Sequence, residues 1–399
     1  MSSREVSQRE VVVVSGVRTA IGDYGGSLKE IPATRLGAIA IKEAVTRAGI
    51  DPASVGHVVI GGVIHGEAKD MYLARVAAVE AGIPVGTPCL TVNRLCGSGL
   101  QSVVSAAQHL LLGDCDVAVA GGAESMSRAA YFLPAGRWGQ RMGDAAVVDA
   151  MTGALHDPFG HGHMGVTAEN IAAKYGFTRE QQDQFAVQSH AKASRAIDSG
   201  YFKSQIAPIE LKTRKGVEPF TADEHVRKGA RMEDLGKLKA VFKKDGTVTA
   251  GNASGLNDAG AAVVLMEAAA AKKAGIKPMA RLVAYAHAGV EPQLMGLGPI
   301  PAVRRVFEKA GLKPADMDVI ESNEAFAVQA MAVTQDLGLD PEKVNPNGGA
   351  VALGHPIGAT GTILTVKALY ELQRTQKRYA LVTMCIGGGQ GIAAIFERA

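Results

Sequence analysis

Ala48-Gly49-Ile50-Asp51-Pro52-Ala53 and Ala310-Gly311-Leu312-Lys313-Pro314-Ala315 are near copies of one another within a chain of 399 residues. Each follows a helical apolar pattern, Ile41 to Ala48 or Val303 to Ala310, and each precedes a short apolar run, Val58-Val59-Ile60 or Val319-Ile320. Glycine just past a periodic segment stops a helix, and a short apolar run behind a turn reads as a strand. The unit is helix, turn, strand, and it occurs twice.

Extending the same offset sets Val11 to Val14 near Leu282-Val283 and Val117 to Ala120 near Ala380 to Thr383. In the second copy that last strand leads through a short glycine turn into Gly391 to Glu397; in the first, the counterpart Gly260 to Glu267 arrives only after a long intervening segment. Residues 125–249 therefore read as an insertion. Strands alternating with helices predict an α/β protein with a mostly parallel sheet, and two similar halves predict a pseudo-twofold pair. Ligands of such folds favour the carboxyl ends of strands. The offset carries Cys96 close to His355, so the pseudo-dyad would set them face to face.

The bulk composition is consistent with an enzyme of this class. The net charge of +3 gives no global field for nucleic acid or an anionic membrane. Cys89, Cys96, Cys115 and Cys385 lack the density of a disulfide framework and the spacing of a zinc site. Met1 to Glu10 has no apolar signal-peptide core, and the apolar stretch near Gly260 to Ala270 falls short of the roughly 20 residues that span a bilayer. A cytoplasmic protein is expected.

Four motifs carry chemistry. Asn93-Arg94-Leu95-Cys96-Gly97-Ser98-Gly99-Leu100 reads as a strand turning sharply into a helix. Cys96 at that helix start would feel the unsatisfied N–H groups and positive dipole end, which lower a thiol pKa from roughly 8.5; a buried cysteine near a turn is the plainer alternative. Gly354-His355-Pro356-Ile357-Gly358-Ala359-Thr360-Gly361 has the same turn-to-helix form, and opposite Cys96 its imidazole could accept the thiol proton. Cys385-Ile386-Gly387-Gly388-Gly389-Gln390-Gly391 ends a strand in glycines whose N–H groups can face an oxyanion. A phosphate-cradling loop would precede a helix, whereas Gly391 leads into a strand pattern. Ser322-Asn323-Glu324-Ala325-Phe326 puts polar groups behind the strand Val319 to Glu321, where Asn323 either orients a ligand or caps a helix. His156, Asp157, His161 and His163 lie in a glycine-containing loop without helical ligand spacing, which argues against a metal site. Cys89 and Cys115 read as small core residues. A GxGxxG dinucleotide fingerprint is missing, since the glycines after Val14 fall at Gly16, Gly22, Gly25 and Gly26.

NRLCGSGL, NEAF, GHPIGATG and CIGGGQG, in this order and with Gly251 to Asp258 between them, resemble the thiolase superfamily along practically the whole chain. With His163-Met164-Gly165 in the insertion, the chain resembles the bacterial acetyl-CoA acetyltransferase or β-ketothiolase group. Ser322 departs from the alanine usual before NEAF, for which some tuning of the pocket is expected.

The resemblance implies duplicated βαβαβαββ halves in a five-layered α-β-α-β-α core: residues 1–124 with 250–275, residues 276–399, and the inserted loop domain 125–249, which serves CoA binding and tetramerisation. It implies reversible Claisen condensation of acetyl-CoA with an acyl-CoA to a 3-ketoacyl-CoA. Cys96 would carry the acyl group, His355 activate it, and Cys385 remove the α-proton. The enolate oxygen would fall to His355 and a water on Asn323, and the acyl-enzyme oxygen to the N–H groups of Cys96 and Gly387. CoA contacts would come from Leu155, His163, Met164, Arg227, Phe242, Ala250, Ser254, Met295, Ala325 and Phe326. Arg227 belongs to the basic run Lys212, Arg214, Lys215, Arg227, Lys228, Arg231, which could equally be a solvated face. Coenzyme A is then substrate and product, with no permanent cofactor and no metal. The expected partners are acetyl-CoA and short-chain 3-ketoacyl-CoA, not nucleic acid or membrane, in a homotetramer built as a dimer of dimers. Chain length and physiological direction, polymer-precursor synthesis or fatty-acid degradation, stay open.

Overall fold

The computed structural model describes residues 9–214 and 216–399; of the stretches read above, residues 1–8 and Lys215 lie outside the described residues. The first half runs β1 (Val11–Arg18), α1 (Ala33–Ala48), β2 (His57–Gly61), α2 (Leu73–Glu80), β3 (Cys89–Val92), α3 (Ser98–Leu112) and β4 (Val117–Ser125). The chain then leaves through α4 (Met164–Tyr175), α5 (Arg179–Asp198) and two small hairpins before returning as β5 (Asn257–Glu267). The second half repeats the pattern with β6 (Ala280–Gly289), α6 (Pro299–Ala310), β7 (Val319–Ser322), α7 (Ala327–Asp336), α8 (Ile357–Thr375), β8 (Tyr379–Ile386) and β9 (Gln390–Arg398). Its third strand survives only as a parallel bridge between Ile320 and Val344. The repeated Ala-Gly pair has one physical cause: Gly49 and Gly311 close α1 and α6 at φ +66° and +64°, a conformation in which a Cβ is strained.

Both halves share one strand order. From the outer edge inward it is β3-β2-β4-β5-β1 in the first and β7-β8-β9-β6 in the second, joined where Val12 and Val13 of β1 face Arg281 and Ala280 of β6. The expectation of a mostly parallel sheet is corrected here. Among the strands of the described residues, β2 runs parallel to β3 and β4 and β7 to β8, whereas β5 pairs antiparallel with β1 and β4, and β9 with β6 and β8. In the second half β9 follows β8 through a short glycine turn and runs back against it, and β5 takes the same antiparallel place beside β4 although the insertion separates the two.

Three apolar cores define the layers. The α1 and α2 side chains, such as Leu36, Ile41 and Ala77, pack on one face of the first sheet. Those of α6 and α7, such as Val303, Val306 and Val333, pack on the far face of the second. Between the sheets lie α3 and α8, where Leu100, Val103, Leu364 and Leu369 meet strand residues of both halves. This is the α-β-α-β-α stack. A helix walled on both sides must be apolar or small nearly all round, which explains the run of small residues in α8.

Candidate active site

The two central helices meet at their N-termini with almost no separation. A Cβ on Gly99 would lie 2.7 Å from the Thr362 nitrogen, and one on Gly361 would lie 2.2 Å from the Leu100 nitrogen. Glycine at both positions is what lets the helix starts cross, and the residues just upstream, Cys96 and His355, are thereby brought to one place.

Cys96 sits in a turn held by side chains. The Leu95 N–H donates to Asn93 Oδ1 (2.9 Å), the Arg94 N–H to Ser98 Oγ (2.9 Å), and the Ser98 hydroxyl to the Leu95 carbonyl (2.7 Å). They hold Leu95 at φ +46°, a left-handed conformation that costs a non-glycine residue about 1–3 kcal/mol. The turn aims the next side chain, Cys96, away from the helix axis and into the cavity. Its ionisation departs from the sequence expectation. Burial pushes the thiol above its ordinary range, with the Glu124 carboxylate adding to the rise, while the N–H groups of Gly387 and of Cys96 itself pull it back only in part. The helix end is real, but Gly97 is its cap and removal from water outweighs it.

His355 precedes α8 and is nearly buried. Its N–H donates to Asn257 Oδ1 (2.9 Å). Thr360 Oγ1 donates to the Pro356 carbonyl (2.9 Å), so its one proton is spent and the contact with His355 Nδ1 (2.7 Å) must be donated by the ring. The tautomer is thus Nδ1–H with the lone pair on Nε2, which accepts only a long hydrogen bond from Asn323 Nδ2 (3.4 Å). Burial lowers the imidazole pKa to about 4, so the ring is neutral near pH 7 and able to accept a proton. Asn323 is not a helix cap, since α7 begins only at Ala327 with Phe326 before it.

Cys385 ends β8 fully buried, and burial beside Cys96 raises its thiol strongly. Gly388 and Gly389, at φ +78° and +88°, turn the chain back into β9 and leave the Gly387 N–H facing the Cys96 sulfur.

One cavity of about 390 Å³ contains these groups. Cys96, His355, Cys385 and Gly387 line it, and so do all the residues expected to contact CoA: Leu155, His163, Met164, Arg227, Phe242, Ala250, Ser254, Met295, Ala325 and Phe326. Asn323 reaches it through His355. His163 caps α4 by accepting the Gly165 N–H on Nδ1 (3.0 Å), which leaves Nε2–H as a donor, and its ring stacks on Phe242 with centroids 4.6 Å apart. Arg227 is exposed at the mouth, its N–H on His190 Nδ1 (3.2 Å).

Several positions were not read from the sequence. Met126, Ala154, Leu256 and Ile357 form an apolar wall, and His225, paired to Asp23 Oδ1 at 2.6 Å, stands beside Arg227. Thr360 lies inside a recognised motif, and the helix start at Ile357 was the available signal for it. Ser322 does not line the cavity; the Asn345 side-chain amide bonds its N–H (2.9 Å) and carbonyl (2.8 Å). Cys89 and Cys115 are half-buried rather than core. Among the described residues no group of three His, Cys, Asp or Glu side chains is placed to hold a metal.

The sequence profile of the thiolase N-terminal domain matches residues 11–269, and that of the C-terminal domain residues 276–398. The chain is 65% identical to the β-ketothiolase BktB of Cupriavidus necator over 98% of its length and 99% of that protein's. It is 51% identical to an acetyl-CoA acetyltransferase of Allochromatium vinosum, covering 97% and 99%. The crystal structure of human mitochondrial 3-ketoacyl-CoA thiolase superposes with a TM-score of 0.97 at 45% identity, covering 98% of this chain and 100% of that one; the same enzyme has been solved in complex with CoA, with a TM-score of 0.96. Duplicated halves, a five-layered core and matches along nearly the whole chain lead to one conclusion: this protein belongs to the thiolase family.

Proposed function

We propose that the protein is an acyl-CoA C-acyltransferase that joins acetyl-CoA to a short acyl-CoA, giving a 3-ketoacyl-CoA and CoA, and runs the same path backwards as thiolysis. The observation that carries this is the meeting of two thiols and a neutral imidazole in one cavity, with an arginine at its mouth. A binding module would have no use for that trio.

Cys96 attacks the first thioester while His355 Nε2 takes its proton and passes it to the departing CoA sulfur, leaving an acyl group on Cys96. A second acetyl-CoA then gives an α-proton to Cys385, whose own proton passes to His355 Nε2. Burial makes the Cys385 thiolate, once formed, a stronger base than an ordinary cysteine, which suits a weakly acidic C–H. The enolate carbon attacks the acyl carbonyl, the Cys96 sulfur leaves, and the proton held on His355 Nε2 passes to it, so that both thiols end protonated. Negative charge develops on an oxygen in each half. The Gly387 and Cys96 N–H groups suit the acyl-enzyme oxygen, since both already face the sulfur. His355, protonated on Nε2 at this stage, suits the enolate together with a water on Asn323, whose Oδ1 is buried and receives no donor among the described residues. The Arg227 guanidinium meets CoA phosphate, and the His163 Nε2–H a pantetheine carbonyl. Coenzyme A is substrate and product, and no permanent cofactor takes part.

The insertion 125–249 supplies this CoA wall and a self-association surface. Its Tyr131–Phe132 and Val148–Asp149 hairpin presents exposed Tyr131, Phe132, Trp138 and Met142. Exposed apolar groups of this size favour burial against a second copy, and β3 is an outer sheet edge, so a dimer of dimers is proposed. No helix among the described residues is long and apolar enough to cross a membrane, and we place the enzyme in the cytoplasm. Acetoacetyl-CoA with CoA provides the test: catalytic loss of the ketoacyl absorbance supports the assignment, and no loss at high enzyme concentration refutes it.

A further inference from the structure

We propose that Glu124 is a positioning residue for the Cys96–His355 pair: its carboxyl group ties the start of α8 to the loop after β2 and so holds the imidazole and the thiol at their working distance. The inference rests on Cys96 and His355 being nucleophile and base. Glu124 lies near the end of β4 with none of its surface exposed. Oε2 accepts the N–H groups of Val63 (3.1 Å) and Gly358 (2.8 Å), and Oε1 accepts that of Ile64 (3.1 Å). Two donors come from the first half and one from the second, so one side chain spans the pseudo-dyad beneath the site.

All three partners are donors. A protonated carboxyl would turn its O–H toward one of them, so this hydrogen-bond set fits the carboxylate, as does the positive end of α8. Burial works the other way, pushing the group up to about 8. The approach is tight: a Cβ at Gly358 would lie 2.6 Å from Oε2. Gly358 follows His355 by three positions, and Ile64 packs with Ile357 and Met126 against Cys96. The carboxylate therefore sets the spacing between the imidazole and the thiol. When ionised it also opposes ionisation of Cys96, adding to a rise that burial dominates. The other titratable or charged groups on the cavity are Cys385 from β8, His355 ahead of α8, His163 at the start of α4, and His225 and Arg227 at the mouth. Asp70, held by the Gly66 and Glu67 N–H groups, acts on Glu124 from the other side. A thiol kept whole retains the proton that the departing CoA sulfur needs.

Glu124→Gln removes the charge at nearly constant shape, and Glu124→Asp keeps the charge but shortens the reach. In the full-length enzyme, the pH dependence of Cys96 alkylation by iodoacetamide, read by peptide mass, is compared with thiolysis of acetoacetyl-CoA. Glu124→Gln is expected to move the alkylation midpoint down by about half a unit to one unit and to lower turnover by about tenfold or more. Glu124→Asp is expected to keep the wild-type midpoint while losing turnover. An unchanged midpoint in Glu124→Gln together with turnover within twofold of wild type overturns the proposal. Should that variant not fold, a shifted midpoint or full turnover in Glu124→Asp overturns it instead. Failure of the wild type to acquire an acetyl group on Cys96 is a separate outcome that strikes the nucleophile assignment.

Discussion

Replacing Thr360 by valine keeps the shape of a fully enclosed side chain and removes only the hydroxyl that receives His355 Nδ1–H at 2.7 Å. The ring then has two choices. It can keep its proton on Nδ1 without a partner, at the cost of burying an unsatisfied donor, about 1–3 kcal/mol. Alternatively it can move the proton to Nε2, which leaves no lone pair to accept the Cys96 proton. Because the second form escapes the penalty, the competent tautomer is depleted by the same 1–3 kcal/mol, a factor of about 5 to 150. Acetoacetyl-CoA thiolysis should show that loss in kcat/KM, and iodoacetamide should still alkylate Cys96 at high pH, where no base is required. Thr360→Ser, which restores the hydroxyl, should recover most of the rate. A Thr360→Val enzyme within twofold of wild type, or a serine variant no better than the valine one, would refute the tautomer argument.

Other perturbations follow from the same geometry. Cys96→Ser should nearly abolish both directions, whereas Cys385→Ala should still accept an acetyl group slowly on Cys96 and fail to condense it; single-turnover mass measurements distinguish them. Arg227→Ala should raise the KM for CoA substrates more than it lowers kcat, by no more than about fivefold, because an exposed charge contact contributes about 0–1 kcal/mol. His355 has a folded pKa near 4, below its unfolded value of about 6.5, so the unfolded chain binds the extra proton between those values and stability falls as pH drops through that window. His355→Gln abolishes this contribution, so in denaturant titrations at pH 7.5 and 4.5 the variant should gain about 2–3 kcal/mol on wild type; parallel stability curves would contradict the assignment. If the proposed dimer of dimers forms through this hairpin, Trp138→Ser with Phe132→Ser should yield dimers where the wild type sediments as a tetramer, with thiolysis retained.

Much of this architecture is written in the sequence as a repeat. The Ala-Gly turns at Gly49 and Gly311 are legible because only glycine suits their backbone, and the offset they set carries Cys96 onto His355. Strand direction was not legible, because apolar runs such as Ala261 to Leu265 look alike whichever way they pair, and β5 and β9 wedge antiparallel beside their neighbours. The ionisation of Cys96 was misjudged for a related reason: the helix start is local and visible, whereas the burial that outweighs it comes from distant strands. Thr360 was within reach of motif reading. Glu124 was not, since its partners Val63, Ile64 and Gly358 lie in two other segments. His225 likewise acquires meaning only through Asp23, 202 positions away.

The most direct test of the whole mechanism is where the first acyl group lands. After brief mixing with acetyl-CoA alone, acid quenching and peptide mass mapping, a single acetyl group should be found on the peptide containing Cys96, with Cys385 unmodified and one equivalent of CoA released. An acetyl group on Cys385 with none on Cys96, or CoA release without any covalent adduct, would contradict it.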